Sequence, residues 1–184
     1  MSKQIMFWEK QETSGFEYLE LSYGDKIIQA ESTVLFIEGG VPQRVTYSII
    51  FGQGWVVKHL CIMNHTQNKT LSLSSNGNGC WFDDNGDEIQ SLRSAVDIDI
   101  SCTPFTNSLP INRQSWTLDE PKLFEMVYIS AHDLSFKKVK QIYKLIHEDE
   151  TRTFHYRSDT FESPVIVDKN GFVLDYPELF TRRF

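Results

Sequence analysis

The stretch VTYSIIF, residues 45–51, decides the fold class. Val45, Tyr47, Ile49 and Phe51 alternate with Thr46, Ser48 and Ile50, the period of two that a strand shows when one face is packed inward. The same period recurs on both sides. It starts at Phe16-Tyr18 and 27–37, and returns at 55–63, 71–73, 96–100, 124–129, 154–156 and 165–173, in runs rich in β-branched and aromatic residues. Between the runs lie turn residues: Gly15, Gly24-Asp25, Gly39-Gly40, Gly52 and Gly54, and four Asn-Gly pairs at 76–77, 78–79, 85–86 and 170–171. Asn-Gly suits the type I′ hairpin turn. Asn85-Gly86 should join Cys80-Trp81-Phe82 to Glu88-Ile89, and Asn170-Gly171 should join 165–167 to 172–174. With more than ten short strands and neither repeat nor linker, the chain reads as one mostly-β antiparallel domain over residues 1–184.

Helix signals are few. Residues 134–147 can be written either as an amphipathic helix or as a strand in which Val139, Gln141, Tyr143 and Leu145 alternate with lysines, and the strand is the better reading. A short helix fits residues 104–109, with Thr103 as N-cap and Pro104 at the first helical position. Pro110 then disfavours helix at Leu109 and should help to end it.

The composition excludes several classes. Hydrophobic residues make up 40% and charged residues 23% of 184, which fits a globular chain rather than a disordered one. The net charge of −7, with no basic stripe, argues against nucleic acid as a partner. The first nine residues lack the apolar core of a signal peptide, and no stretch approaches the ~20 apolar residues of a membrane span. Cys61, Cys80 and Cys102 are an odd, scattered set, read as reduced thiols of a cytoplasmic protein. In that compartment the sequons at Asn64 and Asn68 stay unmodified.

The chemistry concentrates in DIDISCTPFTNSLPINR, residues 97–113. On a strand, Asp97, Asp99 and Ser101 point one way, and Val96, Ile98 and Ile100 the other. Carboxylates two residues apart repel unless a donor or cation intervenes, and Arg93 and Arg113 are the nearest basic residues. Thr106 and Asn107 follow at once. Carboxylates, an amide and an aromatic ring together equip a site for hydroxylated ligands, with Trp81 and Trp116 as candidate rings. The same residues also have ordinary roles, namely acids on a wet sheet face, an Asn bonding the backbone and indoles in the core.

This segment resembles the signature of the family described as putative glycolipid-binding, formerly a domain of unknown function: D-x-D-[LI]-x-x-T-P-x-T-N-T-L-P-I-R-R. Val167-Asp168 through Gly171, Val173, Asp175-Tyr176-Pro177 and Leu179-Phe180 resemble its closing V-D-x-x-G-x-V-x-D-Y-P-x-L-F, and Gln141-Ile142-Tyr143 its Q-x-Y. The likeness runs from Tyr47 onward. Ser108 stands where the family has threonine, Asn112 where it has the first of two arginines, and Phe51-Gly52 where an acid precedes the tryptophan. The resemblance implies a large curved antiparallel sheet wrapped around one short helix, remotely like lipoprotein-localisation carriers, with an acidic pocket, a tendency to dimerise and a glycolipid as ligand.

Other constellations carry less. Asp83 to Glu88 only faintly imitates a calcium loop, because position six is Glu88 rather than glycine. The five histidines form no compact metal motif, and no dinucleotide, P-loop or nucleophile-elbow fingerprint occurs. No metal and no cofactor is expected. Asp168 reads as a turn residue, and Asp175 as a further residue lining the pocket. The expected ligand-binding set is therefore Asp97, Asp99, Thr106, Asn107, Arg113, Trp81 and Asp175. The ligand is a small glycolipid or a sugar head group, and a homodimer would hide the edges of so large a sheet. The alternative is a hydrolase of a glycosidic or ester bond using Asp97 and Asp99 as acid and base.

Overall fold

The computed structural model describes residues 2–11 and 13–184. In chain order its strands are β1 (Ser2–Lys10), β2 (Gly15–Tyr23), β3 (Ile28–Glu38), β4 (Val41–Phe51), β5 (Val57–Asn64), β6 (Lys69–Ser75) and β7 (Trp81–Phe82), then β8 (Asp97–Ile100), β9 (Pro121–Ile129), β10 (Phe136–Glu148), β11 (Arg152–Ser158), β12 (Phe161–Val167), β13 (Val173–Tyr176) and β14 (Phe180–Arg182). All fourteen join one sheet, ordered β7-β6-β5-β4-β3-β2-β1-β14-β13-β12-β11-β10-β9-β8. The chain therefore meanders outward from the centre along β1 to β7, crosses to the opposite edge at β8, and meanders back inward to β14, which pairs with β1. Every neighbouring pair is antiparallel except β8–β9, whose connection contains the helix and so brings the chain back in the same direction.

Alternation sets the faces. In β4, Val45, Tyr47, Ile49 and Phe51 are all buried, as their spacing requires. In β10, which settles 134–147 as strand, Gln141, Tyr143 and Leu145 are buried while Lys138 and Lys140 stay exposed. In β2 the buried parity is Gly15, Glu17, Leu19 and Leu21, which leaves Phe16 and Tyr18 on the outer face at 47% and 42% exposure.

The sheet curls until its ends approach each other. The Trp81 indole N–H of β7 donates to the Ala95 carbonyl, just ahead of β8, at 2.7 Å, and the Ser94 amide donates to the Gly79 carbonyl at 2.9 Å. Two apolar clusters fill the curl. One gathers β1–β6, Trp81 and Phe105, the other β9–β14 and Trp116. Between them run β8 and β9: Ile98, Ile100, Val127 and Ile129 belong to the first cluster, Phe124 and Met126 to the second. The face that carries Asp97 and Asp99 is thus turned toward the second cluster rather than toward open water.

The helix spans nine residues. A 3-10 turn, Phe105–Asn107, runs into α1 (Ser108–Arg113). Thr103 acts as a cap, its hydroxyl accepting from the Phe105 amide at 3.0 Å. Pro110 does not end the helix, contrary to the sequence reading. It is the third residue of α1, directly after the 3-10 turn, and the helix continues through it to Arg113. Leu109 packs into the first cluster and Ile111 into the second, so α1 joins the two.

The two Asn-Gly hairpins form where expected, with different turn chemistry. Gly86 and Gly171 have φ of +84° and +79°, but neither Asn85 nor Asn170 has positive φ, so the turns are not type I′. In each the glycine amide donates back to an aspartate carbonyl, Asp83 at 3.0 Å and Asp168 at 2.9 Å, which gives a turn closed by one left-handed glycine. The Asp83 carboxylate takes the amides of Asn85 and Asp87 at 2.9 and 3.0 Å, as a turn-capping acid does. A Cβ on Gly171 would lie 2.0 Å from the Asn112 side-chain oxygen. Gly171→Ala is therefore expected to cost about 1–3 kcal/mol through the left-handed backbone alone, with a further penalty from displacing Asn112. Urea denaturation measures it, and a loss below the lower figure would mean that the turn rearranges.

Candidate functional site

The connection from β8 to α1 sets the site. Asp97 is fully buried, and its carboxylate is gripped at both oxygens by Arg113, Nε to Oδ1 at 3.1 Å and the terminal nitrogen to Oδ2 at 2.5 Å. Burial pushes the Asp97 carboxyl up and the Arg113 guanidinium works against it. The pair pins the last residue of α1 back to the first residue of β8, while the guanidinium lies 5.8 Å from the centre of the Phe124 ring.

Asp99, one pleat on, is half-buried. Gln141 Nε2 donates to its Oδ2 at 2.6 Å and the Thr106 hydroxyl to its Oδ1 at 3.3 Å. Burial again raises its pKa, against these two donors. Thr106 in turn accepts from the Ile100 amide at 3.3 Å. Asn107 is held at both ends of its amide: its nitrogen donates to the Pro104 carbonyl at 3.2 Å, and its oxygen accepts from the Tyr143 hydroxyl at 2.8 Å. The same hydroxyl lies 3.3 Å from Gln141 Oε1. Gln141 thus ties β10 to Asp99 of β8, and the single Tyr143 hydroxyl proton, given to the nearer Asn107 oxygen, ties β10 to the helix entry.

Asp99 is the shared floor of two adjoining open hollows. One, of about 340 Å³, is also lined by Thr103, Asn107, Phe161, Tyr176 and Phe180. The other, of about 560 Å³, is lined by Lys137, Val139 and Asp159. Tyr128 and Tyr156 border both. The Lys137 ammonium lies 5.9 Å from the Tyr128 ring centre. Burial raises the phenols of Tyr143, Tyr156 and Tyr176, and the charge of Asp99 adds to the effect, so each remains a neutral hydroxyl at physiological pH. A carboxylate offers about four acceptor positions. Gln141 and Thr106 take two of those on Asp99, and the rest are open to a hydroxyl of a guest.

Of the seven residues singled out from sequence, Asp99 and Asn107 line one hollow, and Thr106 supports Asp99 from behind. Asp97 and Arg113 form the buried brace next to them. Trp81 is not with them: it has no exposed surface and sits in the first cluster, so its ring presents no face to a guest. Asp175 is not there either. It accepts from the Thr181 hydroxyl at 2.9 Å, and alternation along β13 turns it away from the face of Tyr176. Trp116 packs edge-on against Phe154, with centroids 4.8 Å apart, and its indole N–H donates to the Ile111 carbonyl at 2.9 Å.

Sequence reasoning did not assign Gln141, Tyr143, Tyr128, Tyr156 and Tyr176 to the site. The parity of Gln141 with Tyr143 was the available signal, since an amide on the buried side of a strand must find partners. It also missed Glu17, a second buried acid at 2% exposure. One oxygen of Glu17 accepts from Ser32 at 2.7 Å and Tyr47 at 2.6 Å, the other from Thr103 at 2.5 Å. Burial pushes its carboxyl up to about 7, against the three hydroxyl donors.

The family model described as "Putative glycolipid-binding" matches residues 5–182. Among solved structures, a crystal structure of a DUF1089 family protein from Pseudomonas aeruginosa superposes with a TM-score of 0.79 at 27% identity, over 90% of this chain and 91% of that one. No curated protein matches.

Proposed function

The chain belongs to the family described as putative glycolipid-binding, and on that premise we propose that the Asp99 hollows receive the sugar head group of a glycolipid. One observation carries the reading. The three separate stretches that resembled the family signature meet there: Asp99, Thr106 and Asn107 from the first, Gln141 and Tyr143 from the second, and Tyr176 and Phe180 from the third. The floor offers an acidic acceptor held by amides, suited to hydroxyl protons. The walls offer rings, suited to the apolar face of a sugar or the first methylenes of a chain. In this reading Asp99 and Asn107 touch the ligand, Thr106 and Gln141 orient Asp99, and the Asp97–Arg113 pair fixes the helix that carries Asn107.

A hydrolase built on the Asp97/Asp99 pair would need both acids at the substrate. Asp97 has no exposed surface and Arg113 takes both of its oxygens, so the geometry favours binding over that chemistry. Among the described residues no helix is long and apolar enough to cross a membrane. The three cysteines are unpaired, which suits the cytoplasmic location we propose. A homodimer belongs to the same proposal. The outer face of the sheet exposes Ile5, Phe16, Tyr18, Leu35 and Ile37 at 39–52% on neighbouring strands, and a second copy would cover this strip.

The test uses n-octyl β-D-glucoside below its micellar concentration, glucose, and a sulfobetaine with the same alkyl chain, each titrated calorimetrically. The glycoside should bind more tightly than either half. Asp99→Asn should weaken it about tenfold, the scale of one charge-assisted hydrogen bond, with the melting temperature preserved. Equal affinity for glycoside and sulfobetaine, or an Asp99→Asn protein that binds like wild type, would remove the head group from the site.

A further inference from the structure

We propose that the head group received by the hollow is an amino sugar, with its ammonium held against Asp99 among the rings of Tyr156, Phe161 and Tyr176. The inference rests on the glycolipid reading above and narrows it to one class of sugar. The state of Asp99 is the first reason. Gln141 and Thr106 donate to it. Among the described residues no cation pairs with it, and no cationic side chain lines the smaller hollow that it floors. Two lysines line the larger hollow, and neither pairs with Asp99. Lys140 alternates to the other face of β10, opposite Glu125, on which its charge acts. Lys137 lies over the Tyr128 ring and shares its hollow with Asp159, so at the two hollows Asp99 and Asp159 stand against one ammonium. A half-buried carboxylate in this position gains most from a guest that brings the counter-charge.

The rings are the second reason. Tyr156, Phe161 and Tyr176 all line the smaller hollow. Their centroids form a triangle: 6.2 Å from Tyr156 to Phe161, 6.0 Å from Tyr156 to Tyr176 and 6.3 Å from Phe161 to Tyr176, with planes inclined at 60°, 74° and 52°. A pyranose stacks on one flat ring. Three rings so steeply inclined offer a corner to a compact group instead, and the negative faces of aromatic rings favour a cation. Phe161 is 45% exposed, so the triangle is open to a guest. The charge of Asp99 acts on the Tyr156 and Tyr176 hydroxyls, which places the carboxylate beside the same rings. An ammonium seated there gives its N–H groups to the acceptor positions that Gln141 and Thr106 leave open, and its C–H flank to the rings. A neutral hydroxyl uses the acceptor but neither the charge nor the corner.

Calorimetric titration at neutral pH with n-octyl β-D-glucosaminide, its N-acetyl derivative and n-octyl β-D-glucoside is the experiment. The three differ only at one substituent, and the first carries a largely protonated amine. A sulfobetaine cannot stand in for it, because its sulfonate cancels the charge and would meet Asp99. The wild-type chain should bind the amine about tenfold more tightly than either neutral glycoside. Asp99→Asn should bind all three alike, and Phe161→Leu should cut the ratio of amine to glucoside affinity about threefold. Equal wild-type affinity for amine and glucoside would overturn the proposal and leave the glycolipid reading standing. An N-acetyl derivative that bound as tightly as the amine, or an Asp99→Asn chain that kept the preference, would also overturn it. Should Asp99→Asn fail to fold, an undiminished ratio in Phe161→Leu would overturn it equally. A wild-type chain that bound none of the three would remove both readings.

Discussion

Replacing Arg113 by methionine should destabilise the fold by about 3–5 kcal/mol, the usual consequence of removing one partner from a buried ion pair. The cause is Asp97. Its carboxylate has no exposed surface, and Arg113 supplies both of its side-chain hydrogen bonds, so the variant must either bury an unpaired charge or protonate the acid. The loss should be recoverable. Changing Asp97 to valine in the same chain removes the orphaned carboxyl, and apolar replacements of buried pairs are often neutral, so the double variant should return to within roughly 1 kcal/mol of wild type. Urea denaturation at unchanged slope measures both. If the single variant lost less than about 1 kcal/mol, water would be reaching Asp97 and the brace would not hold α1 to β8 as described. The double variant has a second use: with stability restored, any loss of ligand affinity reports what the brace does for Asn107 and Asp99.

Glu17 should make the protein less stable as pH rises toward neutrality. Its folded-state pKa of about 7 lies above the ordinary value of 4.5. Below pH 4.5 the carboxyl is protonated in both states and its stabilising contribution is fully present. Between pH 4.5 and 7 the unfolded chain releases the proton while the folded chain keeps it, so stability falls, and above 7 the loss is complete. The total is about 3 kcal/mol. Asp97 and Asp99 are shifted in the same direction, so the wild-type curve alone mixes several acids. The difference between wild type and Glu17→Gln isolates one. Wild type should lose about that amount relative to the variant as pH climbs from 4.5 to 7.5. A constant difference across that range would mean that Glu17 is hydrated in the folded state.

The architecture was legible because one face of each long strand is apolar. Val45 to Phe51 announces its buried parity, and Val139 to Leu145 does so despite the lysines between. The site was legible only in part. Asp97 and Asp99 share a face, but spacing along a strand does not say that β8 lies between two apolar clusters, which is what turns one acid into a buried brace and the other into the floor of a hollow. Phe16 and Tyr18 suggested a strand without saying which side was inward. Leu19 and Leu21 settle that by parity and carry Glu17 inside with them, so an acid that looks like surface in sequence becomes a buried carboxyl pushed up to about 7. Trp81 misled for the opposite reason, since an indole suits a sugar and a core equally well, and here its N–H is satisfied by Ala95 in the core. Pro110 shows the limit of local rules, because the helix that it was expected to end runs on through it to Arg113.

The most direct test of the central claim is native mass spectrometry of the wild-type protein and its Asp99→Asn variant, each purified from its own source without detergent, with any bound mass identified by fragmentation. The account predicts a glycosylated lipid on the wild type, occupancy at least about tenfold lower on Asp99→Asn, and the mass of a dimer in the same spectra. A wild-type protein that carries only sugar-free lipid or nothing, or a variant that carries as much glycolipid as wild type, would contradict it.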